Sequence, residues 1–404
     1  MSMVEDIRKH FPILSREVNG KPYAYLDNTA TTQKPLSVIQ AMSEFLTVDN
    51  ATVHRGIYHL SQRATERCDH VRRQVQQLVN ARREEEIIFT KGTTESINLV
   101  AATFASTFKK GDEIIISAME HHANIVPWQQ VCERQGCVLK VVPFDEDGVF
   151  DFVTYETLLS DKTKLVAVTH CSNVLGSINP VRSIVEKAHQ YGAKVLLDGA
   201  QAISHMPVDV QAIGCDFYCF SGHKMYGPTG IGILYGKYAL LEKMPPYQTG
   251  GDMIDTVTFE KTTFAPPPAR FEAGTPAIVE IIGLGATVDY LNTIGYDTIH
   301  RLERGLFQHA MNALNNIEGV TIYGTAPNKV AIISFNITGV HAHDAGTFFD
   351  ELGVAVRVGH HCAQPIMTHF GIPATIRVSM SFYNTVEEVD RFIDGVKQTK
   401  AFFG

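Results

Sequence analysis

VLLDGAQA (195–202) and FYCFSGHKMYGPTGIG (217–232) are two apolar runs that each break off into polar, chemistry-bearing residues. The first stops at Asp198, with Gln201 just beyond; the second stops at Ser221, His223 and Lys224. Short β-rich runs of this kind are predicted strands. In an open α/β sheet, ligands collect outside the carboxyl ends of the strands. These five residues are therefore predicted to face one pocket.

Working outward, the middle of the chain alternates strand-like and helix-like segments. EEIIFT (85–90), DEIIIS (112–117), CVLKVVPF (137–144) and KLVAVTH (164–170) read as strands. GTTESINLVAATFA, EHHANIVPWQQVCERQG and PVRSIVEKAHQYG read as helices, the last stopped by glycine. Such alternation predicts a mainly parallel sheet with helices on both faces. Residues from about 245 to 280 are rich in Pro and Gly and read as long ordered loops. IVEIIGLGATVDYLNTIG (278–295) reads as a helix, and the remainder of the chain as a smaller α+β domain. We expect a large domain over 15–290 and a small one built from 1–14 and 291–404.

Composition narrows the function classes. The chain has 404 residues, 45% apolar and 19% charged, with net charge −8 and no long basic run. Nucleic acid and membrane are poor partner expectations. The N-terminus carries acids and no apolar core, so it does not read as a signal peptide. Seven cysteines, an odd count in a large chain, suggest free thiols in a reducing, cytoplasmic compartment. Cys215 and Cys219 fall in an apolar run and read as buried.

The strand-end residues suit one cofactor. Pyridoxal phosphate (PLP) is held on a Lys amine and tuned by an acid at its pyridine nitrogen. Asp198 is the candidate acid, since an ionised carboxylate keeps that nitrogen protonated. Lys224, in a turn of small residues, has space for a bulky group on its amine. Gly92-Thr93-Thr94 supplies a helix N-terminus and hydroxyls for the phosphate, and Ser221 and His223 add donors.

The stretches YLDNTATTQKP, HRGIYHLS, GTTESINLVA, EHHANIVPWQ, THCSNVLGSINP, DGAQA, SGHKMYGPTGIG, RFEAGTP and VRVGHHCAQP together resemble the fold-type I PLP enzymes of the class V aminotransferase family. Within them they resemble the Suf-type (group II) cysteine desulfurases, which VRVGHHCAQP distinguishes from group I. The resemblance implies a mainly parallel seven-stranded sheet between helices, with a smaller α+β domain. It implies Lys224 as the cofactor lysine, Asp198 at the pyridinium, Gln201 at the ring oxygen and His121, rather than His122, on the ring face. Thr93, Thr94, Ser221 and His223 would hold the phosphate, with Thr275 reaching it across a dimer interface. Asn173 would hold substrate and cofactor, Arg377 the substrate carboxylate, and Arg357 and His54 would line the same site. No metal is implied.

Cys362 has three readings: a buried structural thiol, part of a metal site with His360 and His361, or a nucleophile. Three adjacent ligands converge poorly on zinc. Two His and a nearby Arg make an electropositive loop that favours thiolate. With the PLP constellation, the nucleophile is our reading. L-cysteine would become L-alanine, with its sulfur held on Cys362 as a persulfide. The resemblance implies a small sulfur-acceptor partner of the SufE or SufU kind, delivery to iron–sulfur cluster assembly, and a homodimer. A selenocysteine lyase or another fold-type I PLP lyase is the alternative.

Overall fold

The computed structural model describes residues 3–403. Its centre is a seven-stranded sheet: β1 (Ile87–Thr90), β2 (Glu113–Ser117), β3 (Val138–Val142), β4 (Thr163–Thr169), β5 (Lys194–Asp198), β6 (Phe217–Ser221) and β7 (Gly232–Gly236). The spatial order is β1-β7-β6-β5-β4-β2-β3. Neighbours from β6 to β3 pair in parallel, while β7 runs antiparallel to both β1 and β6. The sheet is thus mainly parallel and seven-stranded, as expected. Every residue of β1, β2, β6 and β7 is buried, which is why these strands read as continuous apolar runs. β4 and β5 are buried apart from one half-buried lysine each, Lys164 and Lys194, and the edge strand β3 is the most exposed.

Register aligns the pocket. Thr169 pairs with Asp198, and Asp198 with Cys219. Ser221 pairs with Gly232, which pairs with Thr90. The carboxyl ends of β1, β4, β5 and β6 therefore emerge on one edge. Gly232 must be bare: a Cβ there would lie 2.3 Å from the Cα of Gly92. Gly92 itself has φ of 154° and leads into helix α1 (Thr93–Thr103).

The second unit is an antiparallel sheet of β8 (Val320–Tyr323), β9 (Ile332–Ile337), β10 (Arg357–Gly359) and β11 (Thr375–Ser379), ordered β8-β9-β11-β10. Helices α2 (Ala342–Glu351) and α3 (Val386–Phe403) pack on it through Phe349, Phe392 and Val396. This is the α+β domain expected from the sequence. It meets the large sheet at the loop after β4: Ser334 Oγ donates to the Val174 carbonyl at 2.7 Å. Along the N-terminal segment, Ile7, Phe11 and Leu14 join the core that holds Phe45, Tyr226 and Tyr290. Ala24 and Leu26 pack in the small-domain core, and Ala24–Tyr25 pairs in parallel with Val354–Ala355.

Two local readings are corrected. The 245–280 region contains a hairpin, Ile254–Val257 with Thr262–Phe264, rather than loop alone. The helix expected from Glu120 begins later, at Val126, because His122–Asn124 forms a 3-10 turn and Pro127 takes an early helix position. Pro fits the first helical turn, where no N–H partner is required.

Candidate active site

A cavity of about 270 Å³ opens between the strand ends and the small domain. It is lined by Thr93, Thr94, His121, Asn173, Asp198, Gln201, Ser221, His223, Lys224, Arg357, Cys362 and Arg377, together with Thr29 and His361. One pocket thus collects most of the residues that the sequence scattered over nearly 300 positions.

At the strand-end pole, Ser221 Oγ accepts the Thr93 N–H and meets Thr93 Oγ1, both at 2.9 Å. This ties β6 to the start of α1 and leaves a helix N-terminus facing the cavity. Asp198 is buried and its Oδ1 accepts the Ala200 N–H at 2.9 Å. Burial pushes its carboxyl up and the Lys224 ammonium down, while each charge opposes the other's shift. Gln201 Nε2 donates to the Thr29 carbonyl at 3.0 Å. His121 Nδ1 accepts the Ala123 N–H at 3.0 Å, and burial lowers the ring to about 3, so it is neutral near pH 7. A neutral, fixed ring suits stacking on a flat ligand.

At the opposite pole, residues 360–363 link β10 to the short helix Gln364–His369. His361 and Cys362 both have positive φ, 53° and 55°. Non-glycine residues adopt this conformation at a cost, and the surroundings hold it. The Cys362 carbonyl accepts the His122 N–H at 2.7 Å, and the His361 carbonyl accepts Asn173 Nδ2 at 2.8 Å. Cys362 is the exposed cysteine, whereas Cys68, Cys171, Cys215 and Cys219 are buried. The electropositive character expected of this loop has a different source from the one read in the sequence. Burial and the nearby arginines depress His361 to about 2, leaving it neutral, so Arg357 and Arg377 supply the charge.

Those two arginines share one carboxylate. Asp27 Oδ1 accepts Arg377 Nη2 at 3.1 Å, and Oδ2 accepts Arg357 Nε at 3.1 Å. Arg377 Nη1 donates to the Asn173 carbonyl at 2.9 Å. Its Nε is buried with no partner, as is Thr29 Oγ1 beside it in the lining. Both residues line the cavity, where a polar ligand would supply the missing partners. Burial lowers Arg377 only to about 10, so it remains a cation at neutral pH.

Two expected residues lie elsewhere. His54 is exposed and lines a separate cavity of about 440 Å³ with Arg55, Asp252, Gly274 and Pro276. Thr275, also exposed, sits between the last two. Within this chain neither reaches the Lys224 cavity. Conversely, Asp27 and Glu120 drew no reading from the sequence. Glu120 is fully buried below the cavity; it accepts Asn124 Nδ2 at 2.7 Å, the Thr169 N–H at 2.9 Å and the Ser117 hydroxyl. It therefore ties the turn carrying His121 to β2 and β4. An acid directly preceding the His pair was the available signal.

The family description Aminotransferase class-V matches residues 24–392. Curated proteins called cysteine desulfurase from Shigella sonnei (strain Ss046) and Escherichia coli (strain SE11) are each 52% identical over 403 residues, covering 99% of both chains. Among solved structures, the cysteine desulfurase CsdA from Escherichia coli, in an S-sulfonic acid form, is 36% identical with a TM-score of 0.93, covering 100% of both chains. The apo cysteine desulfurase from Thermococcus onnurineus NA1 is 39% identical with a TM-score of 0.94, covering 100% of this chain and 98% of that one.

Proposed function

We propose, from the premise that this chain belongs to the aminotransferase class V family, that it is a PLP-dependent cysteine desulfurase of the Suf type. The observation that carries the reading is the meeting of Lys224, Asp198, His121, Arg377 and Cys362 in one cavity. The relatives of like length and name support it.

The residues present fit PLP. Asp198 offers a buried carboxylate for a cationic ring nitrogen, and Ser221, Thr93 and the α1 N-terminus offer donors for a phosphate. Thr94 and His223 line the same end, Gln201 lines the cavity and would meet the ring oxygen, and His121 is a neutral ring for stacking. The unpartnered Arg377 Nε is a donor for a substrate carboxylate, with Asn173 beside it. Thr275 would serve the second subunit of a homodimer; His54 remains assigned to the substrate on the same basis.

When bound, the cofactor supplies an electron sink that stabilises negative charge at the substrate α-carbon. Lys224 Nζ would hold the cofactor, and its amine would carry the α-proton. Burial lowers the Lys224 pKa against the raising charge of Asp198, which favours the neutral amine that a base requires. Arg377 fixes the substrate carboxylate, and Asp27 fixes Arg377. Cys362 Sγ attacks the substrate sulfur; an S–S bond forms as the Cβ–S bond breaks. The balance is L-cysteine plus Cys362 thiol giving L-alanine plus Cys362 persulfide. Exposure of Cys362 lets a small sulfur carrier of the SufE or SufU kind collect that sulfur for iron–sulfur cluster assembly. The four-residue loop bearing Cys362 supports the Suf-type reading over a group I enzyme with a longer one.

The experiment is to incubate the PLP-loaded protein with L-cysteine, without reductant, and map added mass by peptide mass spectrometry. One sulfur added on the Cys362 peptide, with alanine released, is expected. Cysteine consumed with no sulfur on Cys362 would move the assignment to another fold-type I lyase.

A further inference from the structure

One carbonyl oxygen next to Lys224 is crowded with donors. The His223 carbonyl receives the Thr32 N–H at 3.0 Å, Thr31 Oγ1 at 3.0 Å, Thr32 Oγ1 at 3.2 Å and Lys34 Nζ at 3.0 Å. A carbonyl oxygen has only two lone pairs, so this acceptor is saturated. Its donors all come from Thr31–Lys34, about 190 positions away in sequence. The strap is closed further by Thr32 Oγ1, which accepts the Tyr226 N–H at 2.7 Å, and by Lys34 Nζ, which donates to the Thr32 carbonyl at 2.5 Å.

We propose that Lys34 is a positioning residue for Lys224, acting through the His223 carbonyl to fix the backbone from which the Lys224 side chain springs. That oxygen belongs to the planar peptide unit joining His223 to Lys224. Pinning it fixes the orientation of the Lys224 amide plane, and with it the direction in which the side chain leaves. Among its donors, Lys34 alone can carry a charge, and charge-assisted hydrogen bonds are roughly twice as strong as neutral ones. The hydrogen bonds of the Lys34 ammonium all go to neutral oxygens. Burial pushes its ammonium down to about 7, a cost not offset by an acid partner in that set. A lysine kept there at such a cost is explained by what its hydrogen bonds hold. Aim matters at this place, because a reacting group misplaced by about 1 Å can lose about a hundredfold in rate.

The proposal rests on the reading of Lys224 as the cofactor lysine. Apo-protein carrying Lys34→Met or Thr31→Val is mixed with PLP, and the absorbance of PLP joined to Lys224 is followed in time. Melting temperature, kcat and KM for L-cysteine are measured alongside. For Lys34→Met we expect attachment and kcat to fall about tenfold while KM changes by less than about twofold. Thr31→Val, which removes a neutral donor from the same oxygen together with the Thr31 contacts to His223 Nδ1 at 3.2 Å and Lys34 Nζ at 3.4 Å, slows attachment about threefold. Melting of both variants stays within a few degrees of the parent. Attachment at the parental rate in both variants overturns the proposal, as does slowing that only tracks lost folded protein. If Lys34→Met does not fold, an unchanged rate in Thr31→Val is enough to overturn it. An absorbance that survives Lys224→Ala, made with Thr31 and Lys34 intact, instead overturns the assignment of Lys224 itself, independently of the Lys34 variants.

Discussion

The two ends of the cavity are built by opposite means. The Lys224 end stands on strands whose residues are buried and whose register is set by neighbours on both sides. The Cys362 end hangs on four residues beyond the edge strand β10, two of them in left-handed conformation, with the thiol exposed. A group that must hold a cofactor needs a frame that does not yield. A thiol that must take sulfur from a buried substrate and offer it outward needs access, and its loop rests on buried His361 and Ala363 and on two bonds to its carbonyls from the large domain. His122 N–H to the Cys362 carbonyl and Asn173 to the His361 carbonyl are those bonds.

This division of labour can be broken from either end. Lys224→Ala should remove both cofactor absorbance and turnover, by at least about a thousandfold. Cys362→Ala should leave the absorbance intact, lose the persulfide and slow L-cysteine turnover by about a hundredfold. Equal loss of absorbance in both variants would show that the two ends are not separate devices. Retained turnover of L-selenocysteine by Cys362→Ala would favour the lyase alternative.

Asp27 serves the arginines at the Cys362 end, and its replacement should act on binding more than on chemistry. An Asn side chain is neutral and puts an amide NH2 where one carboxylate oxygen stood, so the charge-assisted bonds from Arg357 and Arg377 are weakened and one of them faces a donor. KM for L-cysteine should rise about tenfold with kcat held within about threefold, since a hydrogen bond to a charged group is lost. A fall in kcat at constant KM would remove Asp27 from substrate orientation.

The smallest expected effect sits in the loop itself. His361 is depressed to about 2, against an ordinary value near 6.5 in the unfolded chain. Between these values the unfolded state binds a proton that the folded state does not, so this ring's contribution to stability is lost as pH falls below about 6.5. His361→Gln lacks that loss. From pH 7 to 5 the parent apo-protein should drop about 1–3 °C more in melting temperature than the variant. A parallel fall in both would show that His361 is not held neutral.

The large domain was legible because a strand buried on both faces announces itself as an apolar run ending in polar residues, as β5 and β6 do at Asp198 and Ser221. The hairpin at Ile254–Phe264 was hidden because it is partly exposed, irregular in register and flanked by Pro and Gly. Asp27 was hidden for another reason. A single acid after a short strand has no local signal for the two arginines it serves, which arrive from 330 and 350 positions away. His54 and Thr275 carried motif-level signals, yet a motif does not say whether its residues reach the same cavity as the others within one chain.

The bareness of Gly232 has a consequence for how this protein can vary. Since β7 lies between β1 and β6, the peptide at Gly92 can reach Ser221 only by passing where a side chain at position 232 would stand. Even alanine there would push on the Gly92 backbone at 2.3 Å, while Gly92 sits at a φ that side chains rarely adopt. Drift at either position is therefore blocked, and replacing both glycines together gives no compensation, because a methyl on Gly92 would press on Ser221 Oγ at 3.2 Å while the clash at position 232 stays. The anion-facing corner of the cavity depends on two absences, and a lineage that filled either one would have to rebuild the loop before it could use the pocket again.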